Sequence, residues 1–85
     1  MNALMRRKVA TKYAIEAQAA ADATESTQLD AAWRRVEKAW KEVAETGTLA
    51  AWEVAYMRDS ETQSWARELD LDAEAQANKE AEEMT

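Results

Sequence analysis

The chain has 85 residues and a formal net charge of −6, with one glycine, no proline, no histidine and no cysteine. This length holds one small domain, and the negative charge disfavours direct binding to a nucleic acid backbone or an anionic membrane. Histidine and cysteine supply the commonest general base, a strong nucleophile and the usual zinc ligands. We therefore expect no enzyme activity, no metal site and no cofactor.

Large apolar residues are scarce in this chain. Ten residues are Leu, Ile or Val and none is Phe, whereas 20 are Ala and four are Trp. So few aliphatic residues would be typical of a disordered chain. However, alanine strongly favours helix, and each buried tryptophan removes about 150–250 Å² from water. Without strand signals, the composition predicts an all-α fold, a bundle of three or four helices forming one domain over residues 1–85.

The first helix is predicted over about Ala3 to Ala23. Apolar residues recur every three or four positions and so form one face of the helix, which Leu4 and Ile15 widen. The face consists of Met5, Val9, Tyr13, Ala17 and Ala20. The sequence "TEST" at residues 24–27 should end this helix, because serine and threonine compete for backbone hydrogen bonds and favour helix caps.

The second helix is predicted over about residues 28–45. Thr27 and Asp30 resemble a capping box at its start. Its apolar positions are spaced four, three, four and three residues apart, which is typical of a helix that buries one stripe. They are Leu29, Trp33, Val36, Trp40 and Val43.

Gly47 predicts a tight turn, since glycine accepts a positive φ without steric penalty. Thr48 can then cap a third helix over about 49–58, which would lie antiparallel to the second. In this hairpin Trp40 faces positions 54–56 and Leu29 lies near Trp65. A capping box at residues 60–63 and a polar face after position 56 predict a break or kink near 59–61. A continuous helix to about residue 69 is the alternative.

The C-terminal segment, about residues 72–85, is rich in alanine and glutamate and predicts an acidic helix with frayed ends. Asp70, Asp72 and Glu74 alternate as in a calcium-binding loop, but Ala75 occupies the position that requires glycine. If this segment formed a helix–turn–helix, its recognition helix would be acidic and would be repelled by the phosphates of DNA. A third possible function is that the protein mimics DNA with its carboxylates, because residues 46–85 contain ten acids and three bases.

The function that this pattern favours is protein binding, by a small adaptor or inhibitor that docks a helical face on a partner with a basic surface. Tryptophan is enriched at binding hot spots and in homo-oligomer cores. A homo-oligomeric assembly subunit is the alternative. The absence of a run of about 20 apolar residues predicts a cytoplasmic protein, and such chains are typical of phages and mobile elements. Candidate partner-binding residues are Trp33, Arg34, Trp65, Glu68, Asp70 and Asp72.

Overall fold

The computed structural model describes residues 1–84 as three α-helices joined by two short turns. Helix α1 spans Ala3–Ala23, α2 spans Thr27–Thr46 and α3 spans Leu49–Glu83. Helix α2 lies in the middle and packs on both neighbours, whereas α1 and α3 touch each other very little. No strand occurs in residues 1–84. The predicted all-α fold is confirmed, and Thr85, the last position of the predicted domain, lies outside the described residues.

The turn between α2 and α3 forms as the sequence predicts. Gly47 adopts φ 65° and ψ 10° and donates its N–H to the carbonyl of Val43 at 2.7 Å. Thr48 caps α3 by accepting the N–H of Ala51. At the other end of α2 the predicted cap was wrong by one residue. Ser26 is the N-cap and accepts the N–H of Leu29 at 3.2 Å, while Thr27 is already helical.

The first turn of α1 closes over the Gly47 turn. Arg6 donates from Nε to the carbonyl of Gly47 at 2.8 Å, and Arg7 donates from Nε to the carbonyl of Ala44 at 2.9 Å. Carbonyls at a helix C-terminus lack intrahelical partners, and cations there also interact favourably with the helix dipole. The two arginines therefore fix the start of α1 against the end of α2.

The core lies mainly between α1 and α2. The predicted stripe of α2 is confirmed, since Leu29, Val36, Trp40 and Val43 are buried and Trp33 is half-buried against the core. The buried face of α1 shares only Ala17 with the predicted one. It is an alanine seam rather than a row of larger side chains, and its members are Ala10, Ala14, Ala17 and Ala21.

The larger residues expected on the buried face of α1 lie at its margins or in solvent. Met5 is exposed, as are Leu4 and Ile15, while Val9 and Tyr13 are half-buried. Alanines allow two helix backbones to approach closely, and the bulky Trp40 of α2 supplies volume beside them. The prediction failed because it ranked positions by side-chain size.

Helix α3 runs without interruption, so the predicted break near 59–61 was wrong. The polar residues that suggested a break have partners. Asp59 accepts the indole N–H of Trp40 on α2 at 2.8 Å, and Gln63 donates to the other oxygen of Asp59 at 2.7 Å. The buried Thr62 donates its hydroxyl to the carbonyl of Arg58 within the helix. The third helix consequently extends to Glu83, well past the predicted end near residue 58.

The described structure is elongated, with extents of 57 × 20 × 16 Å. Its radius of gyration is 16.3 Å, against about 12 Å for a compact domain of this length. Its accessible surface is 6255 Å², whereas a compact monomer of this mass exposes about 5,100 Å². None of the described helices contains an apolar stretch long enough to cross a membrane.

Candidate protein-interaction surface

The second half of α3 projects beyond the other two helices. We call residues 67–83 the overhang, and every residue in it is exposed, including Leu69 and Leu71. At a rise of about 1.5 Å per residue the overhang is about 25 Å long. Three of the predicted binding residues, Glu68, Asp70 and Asp72, lie on it and are exposed.

The overhang carries charges that destabilise an isolated helix. Glu68 and Asp72 are separated by four residues, as are Asp70 and Glu74, and like charges at this spacing repel. Three of the last four helical positions are glutamate, and the last turn has no basic residue. The negative end of the helix dipole disfavours acids there. A cationic partner would relieve both effects, so the charge pattern fits a helix that is stabilised by binding.

A groove runs between α2 and α3 on the side of the molecule away from the Trp40–Asp59 hydrogen bond. Two adjoining cavities of about 400 and 250 Å³ form it and share Arg35 and Arg58 in their walls. Val54 and Trp65 contribute apolar surface, and the buried Val36 lies beneath it. The groove ends at the half-buried Trp65, immediately before the overhang begins.

The groove carries more basic than acidic side chains. Arg35, Lys38 and Arg58 line it, together with Glu42 and Glu61. Within residues 1–84 none of these three basic side chains forms an ion pair. They are free to bind an acidic ligand, and the apolar floor between them would exclude water from such a contact.

The four tryptophans have different surroundings. Trp40 is 1% exposed, with its ring centroid 5.0 Å from that of Tyr13 and 5.1 Å from that of Trp52. Its indole N–H is satisfied by Asp59. This cluster holds all three helices together, because Tyr13 comes from α1 and Trp52 from α3. Trp40 and Trp52 therefore have a structural role in the described chain.

The two tryptophans predicted to contact a partner differ from each other. Trp65 lies in the wall of the groove and is half-buried. Trp33 is also half-buried, but it packs against the core and is not among the groove residues. Trp65 is therefore next to the three candidate residues of the overhang, whereas Trp33 is next to Arg34 on α2. A role of either residue in binding remains a prediction.

Arg34, the remaining predicted binding residue, makes contacts within the chain. Its Nη2 lies 2.7 Å from Asp22 Oδ1 at the end of α1 and 3.4 Å from Asp30 Oδ1 on α2. The hydrogen bond with Asp22, with smaller contributions from nearby carboxylates, raises the pKa of Arg34. The guanidinium joins the end of α1 to the start of α2.

The sequence interpretation did not select Arg35, Lys38 or Arg58, which line the groove. In the sequence they resemble the solvated charges of any surface helix. A signal was present in the combination of Arg58 with Trp65, since a spacing of seven residues places both on one face of α3. Recognising the groove also required the pairing of α2 with α3.

The described residues show no arrangement suited to metal binding. Asp70, Asp72 and Glu74 lie along a straight helix, which cannot wrap oxygen ligands around a cation as a loop does. Across residues 1–84 no three carboxylates come together in a way that could hold a metal ion. Glu37 is largely buried, with Oε1 3.2 Å from Lys41 Nζ and Oε2 without a hydrogen-bond partner. It lines neither of the two cavities that form the groove.

Comparison with known proteins gives no family assignment, because no protein-family model, no curated protein and no solved structure matches the chain. The overhang and the groove are therefore the features of the molecule that bear on its function.

Proposed function

We propose that the chain is a small non-enzymatic protein-binding module, an adaptor or inhibitor, that docks the overhang of α3 and the adjoining groove on a partner protein. The observation that carries this proposal is the accessible surface of 6255 Å². It exceeds that of a compact monomer by about 1,100 Å², and each partner in a standard protein interface buries about 800 Å². Covering the overhang would bring the exposed area close to that of a compact domain.

The charges support a protein partner. The overhang contains seven acids and two bases, so the partner should present basic side chains to it. Trp65 offers a large apolar contact where the overhang meets the groove, and tryptophan frequently dominates binding energy at such positions. Glu68, Asp70 and Asp72 lie within about two helical turns of Trp65 and would form the charged rim.

The test compares two variants with equal net charge. The first, Glu68→Gln/Asp70→Asn/Asp72→Asn, neutralises the overhang next to Trp65. The matched control, Glu16→Gln/Glu25→Gln/Glu45→Gln, neutralises three exposed acids elsewhere. Proteins crosslinked to each chain in cells of its source would be identified by mass spectrometry.

We expect the wild-type chain and the control to capture the same partner, and the overhang variant to capture at least about tenfold less of it. Equal capture by both variants would show that the partner binds another surface. If the wild-type chain captured only itself, the adaptor or inhibitor role would be wrong.

A further inference from the structure

We propose that the partner which this surface fits is a second copy of the chain, with the overhang of each copy lying in the α2–α3 groove of the other. This inference rests on the docking surface of the proposed function and not on the adaptor or inhibitor role, because it fills the same overhang and groove with another copy of the chain in place of a different protein. The two copies would be related by a two-fold axis near Trp65, so that each contact occurs twice, as in any isologous dimer.

The length of α3 fits this symmetry. The helix spans Leu49–Glu83, and its midpoint is Ala66, next to Trp65. The half before the midpoint packs on α2, and the half after it is the overhang. In an antiparallel pair of α3 helices, each overhang of about 25 Å lies along a packed half of the same length. With the axis at Trp65, only Glu82 and Glu83 would extend past the start of α3 in the partner copy.

The side chains along one face of α3 complement each other about the same axis. Arg58, Trp65 and Asp72 are separated by seven residues, which places them on one face. A two-fold axis at Trp65 places Trp65 beside Trp65 of the second copy. It also places Arg58 opposite Asp72 of the second copy. Neither Arg58 nor Asp72 forms an ion pair within residues 1–84.

Two further charges of the groove, Arg35 and Glu61, agree with this register. Arg35 shares both cavities with Arg58 and adds a second cation beside the incoming Asp72. The acid Glu61 comes opposite Leu69 of the second copy, so it meets an apolar side chain and not another carboxylate. The basic groove and the acidic overhang thus attract each other although the two copies carry the same net charge.

The area also suits a dimer. A stable interface needs about 800 Å² from each partner, and the chain exposes about 1,100 Å² more than a compact monomer. Because every copy contributes both an overhang and a groove, one symmetric interface covers both surfaces. A different protein with a basic surface would cover the acidic overhang, but that basic surface would not complement the basic groove.

Sedimentation equilibrium over a concentration series tests the pairing by charge reversal. We expect the wild-type chain to form a dimer, and Arg58→Asp or Asp72→Arg to raise the dimer dissociation constant at least about tenfold. The double variant Arg58→Asp/Asp72→Arg should return it to within about threefold of wild type, because the pair is restored with reversed sign. Lys8→Asp, an exposed reversal on α1, is the control and should leave the constant unchanged.

Disulfide trapping gives a second measurement, which reports the positions that meet between the two copies. The chain has no cysteine, so any disulfide formed by a single-cysteine variant joins two chains. When Arg58→Cys and Asp72→Cys chains are mixed in equal amounts and oxidised, we expect the mixed disulfide to exceed either homodimer by clearly more than the twofold ratio that random pairing gives.

Each alternative result overturns the inference in a recognisable way. A wild-type chain that stays monomeric at every concentration would exclude the second copy as partner, while the capture experiment would still test a different protein. If neither single charge reversal changed the dimer dissociation constant, the dimer would use another surface. A double variant as weak as the single ones, or a mixed disulfide at no more than twice either homodimer, would exclude the antiparallel register.

Discussion

Substituting alanine for Gly47 perturbs two features of the turn between α2 and α3. Gly47 has φ 65°, in the left-handed region that L-residues with a Cβ rarely adopt. Its Cα also faces the first turn of α1. A Cβ at this position would lie 2.9 Å from the carbonyl oxygen of Ala3 and 2.9 Å from Cγ of Arg7. The arginine side chain can move aside, but the carbonyl belongs to the helix backbone.

Both features contribute to the expected loss of stability. Holding an L-residue in the left-handed conformation costs about 1–2 kcal/mol. Moving the first turn of α1 away from the new Cβ would lengthen the hydrogen bonds that Arg6 and Arg7 donate to the end of α2, and a hydrogen bond with a charged donor is worth about 1.5–3 kcal/mol. Because those bonds weaken rather than disappear, we expect a total of about 2–4 kcal/mol.

Thermal unfolding followed by far-ultraviolet circular dichroism measures this loss. For a chain of this size we expect Tm to fall by about 10–25 °C. Gly47→Asn separates the two contributions, because asparagine tolerates positive φ but carries the same Cβ. It should therefore recover part of the loss and not all of it. An unchanged Tm for Gly47→Ala would refute the left-handed turn, and a wild-type Tm for Gly47→Asn would refute the close contact with α1.

Three other predictions concern the core and one concerns the overhang. Asp59→Ala should cost about 1–3 kcal/mol, because it leaves the buried indole N–H of Trp40 unsatisfied. Asp59→Asn keeps an acceptor and should cost less, and equal losses would argue against the hydrogen bond. Trp40→Ala should lower the free energy of unfolding by about 3–5 kcal/mol, and Trp33→Ala should lower it clearly less, because Trp33 is only half-buried. Equal losses in urea unfolding would show that the half-buried ring contributes as much as the buried one. Glu37→Met should raise stability by about 1 kcal/mol by removing a buried oxygen without a partner, and a lower urea midpoint would contradict this. At concentrations where the chain is monomeric, amide hydrogen exchange in residues 67–83 should be faster than in the other helical residues. Exchange there as slow as at Trp40 would indicate a missed intramolecular contact.

The parts of the fold that local chemistry determines could be predicted from the sequence. The bounds of α1, the buried stripe of α2, the turn at Gly47 and the cap at Thr48 follow from residue spacing and from backbone preferences. Each of these signals acts within a few residues. The continuity of α3 does not, since the polar position of Asp59 is explained by Trp40, which is 19 residues earlier in the chain.

The candidate surface was predictable in part for the same reason. The acidic composition of residues 46–85 singled out Glu68, Asp70 and Asp72, and the hairpin register drew attention to Trp65. The basic half of the surface could not be found in this way. Arg35 and Arg58 come together only because α2 and α3 pack side by side, and no local pattern distinguishes them from other exposed arginines.

The alanine seam of α1 implies an unusual map of mutational tolerance. In most cores the damaging substitutions are those that shorten a side chain. Along α1 the intolerant positions should be the smallest ones, because any residue larger than alanine at Ala10 or Ala14 must push the helix away from α2. The bulky Leu4 and Ile15 are exposed, and most replacements there should be accepted. Selection on this helix would therefore act mainly to keep side chains small, and a family of homologous sequences would diverge most at its largest residues.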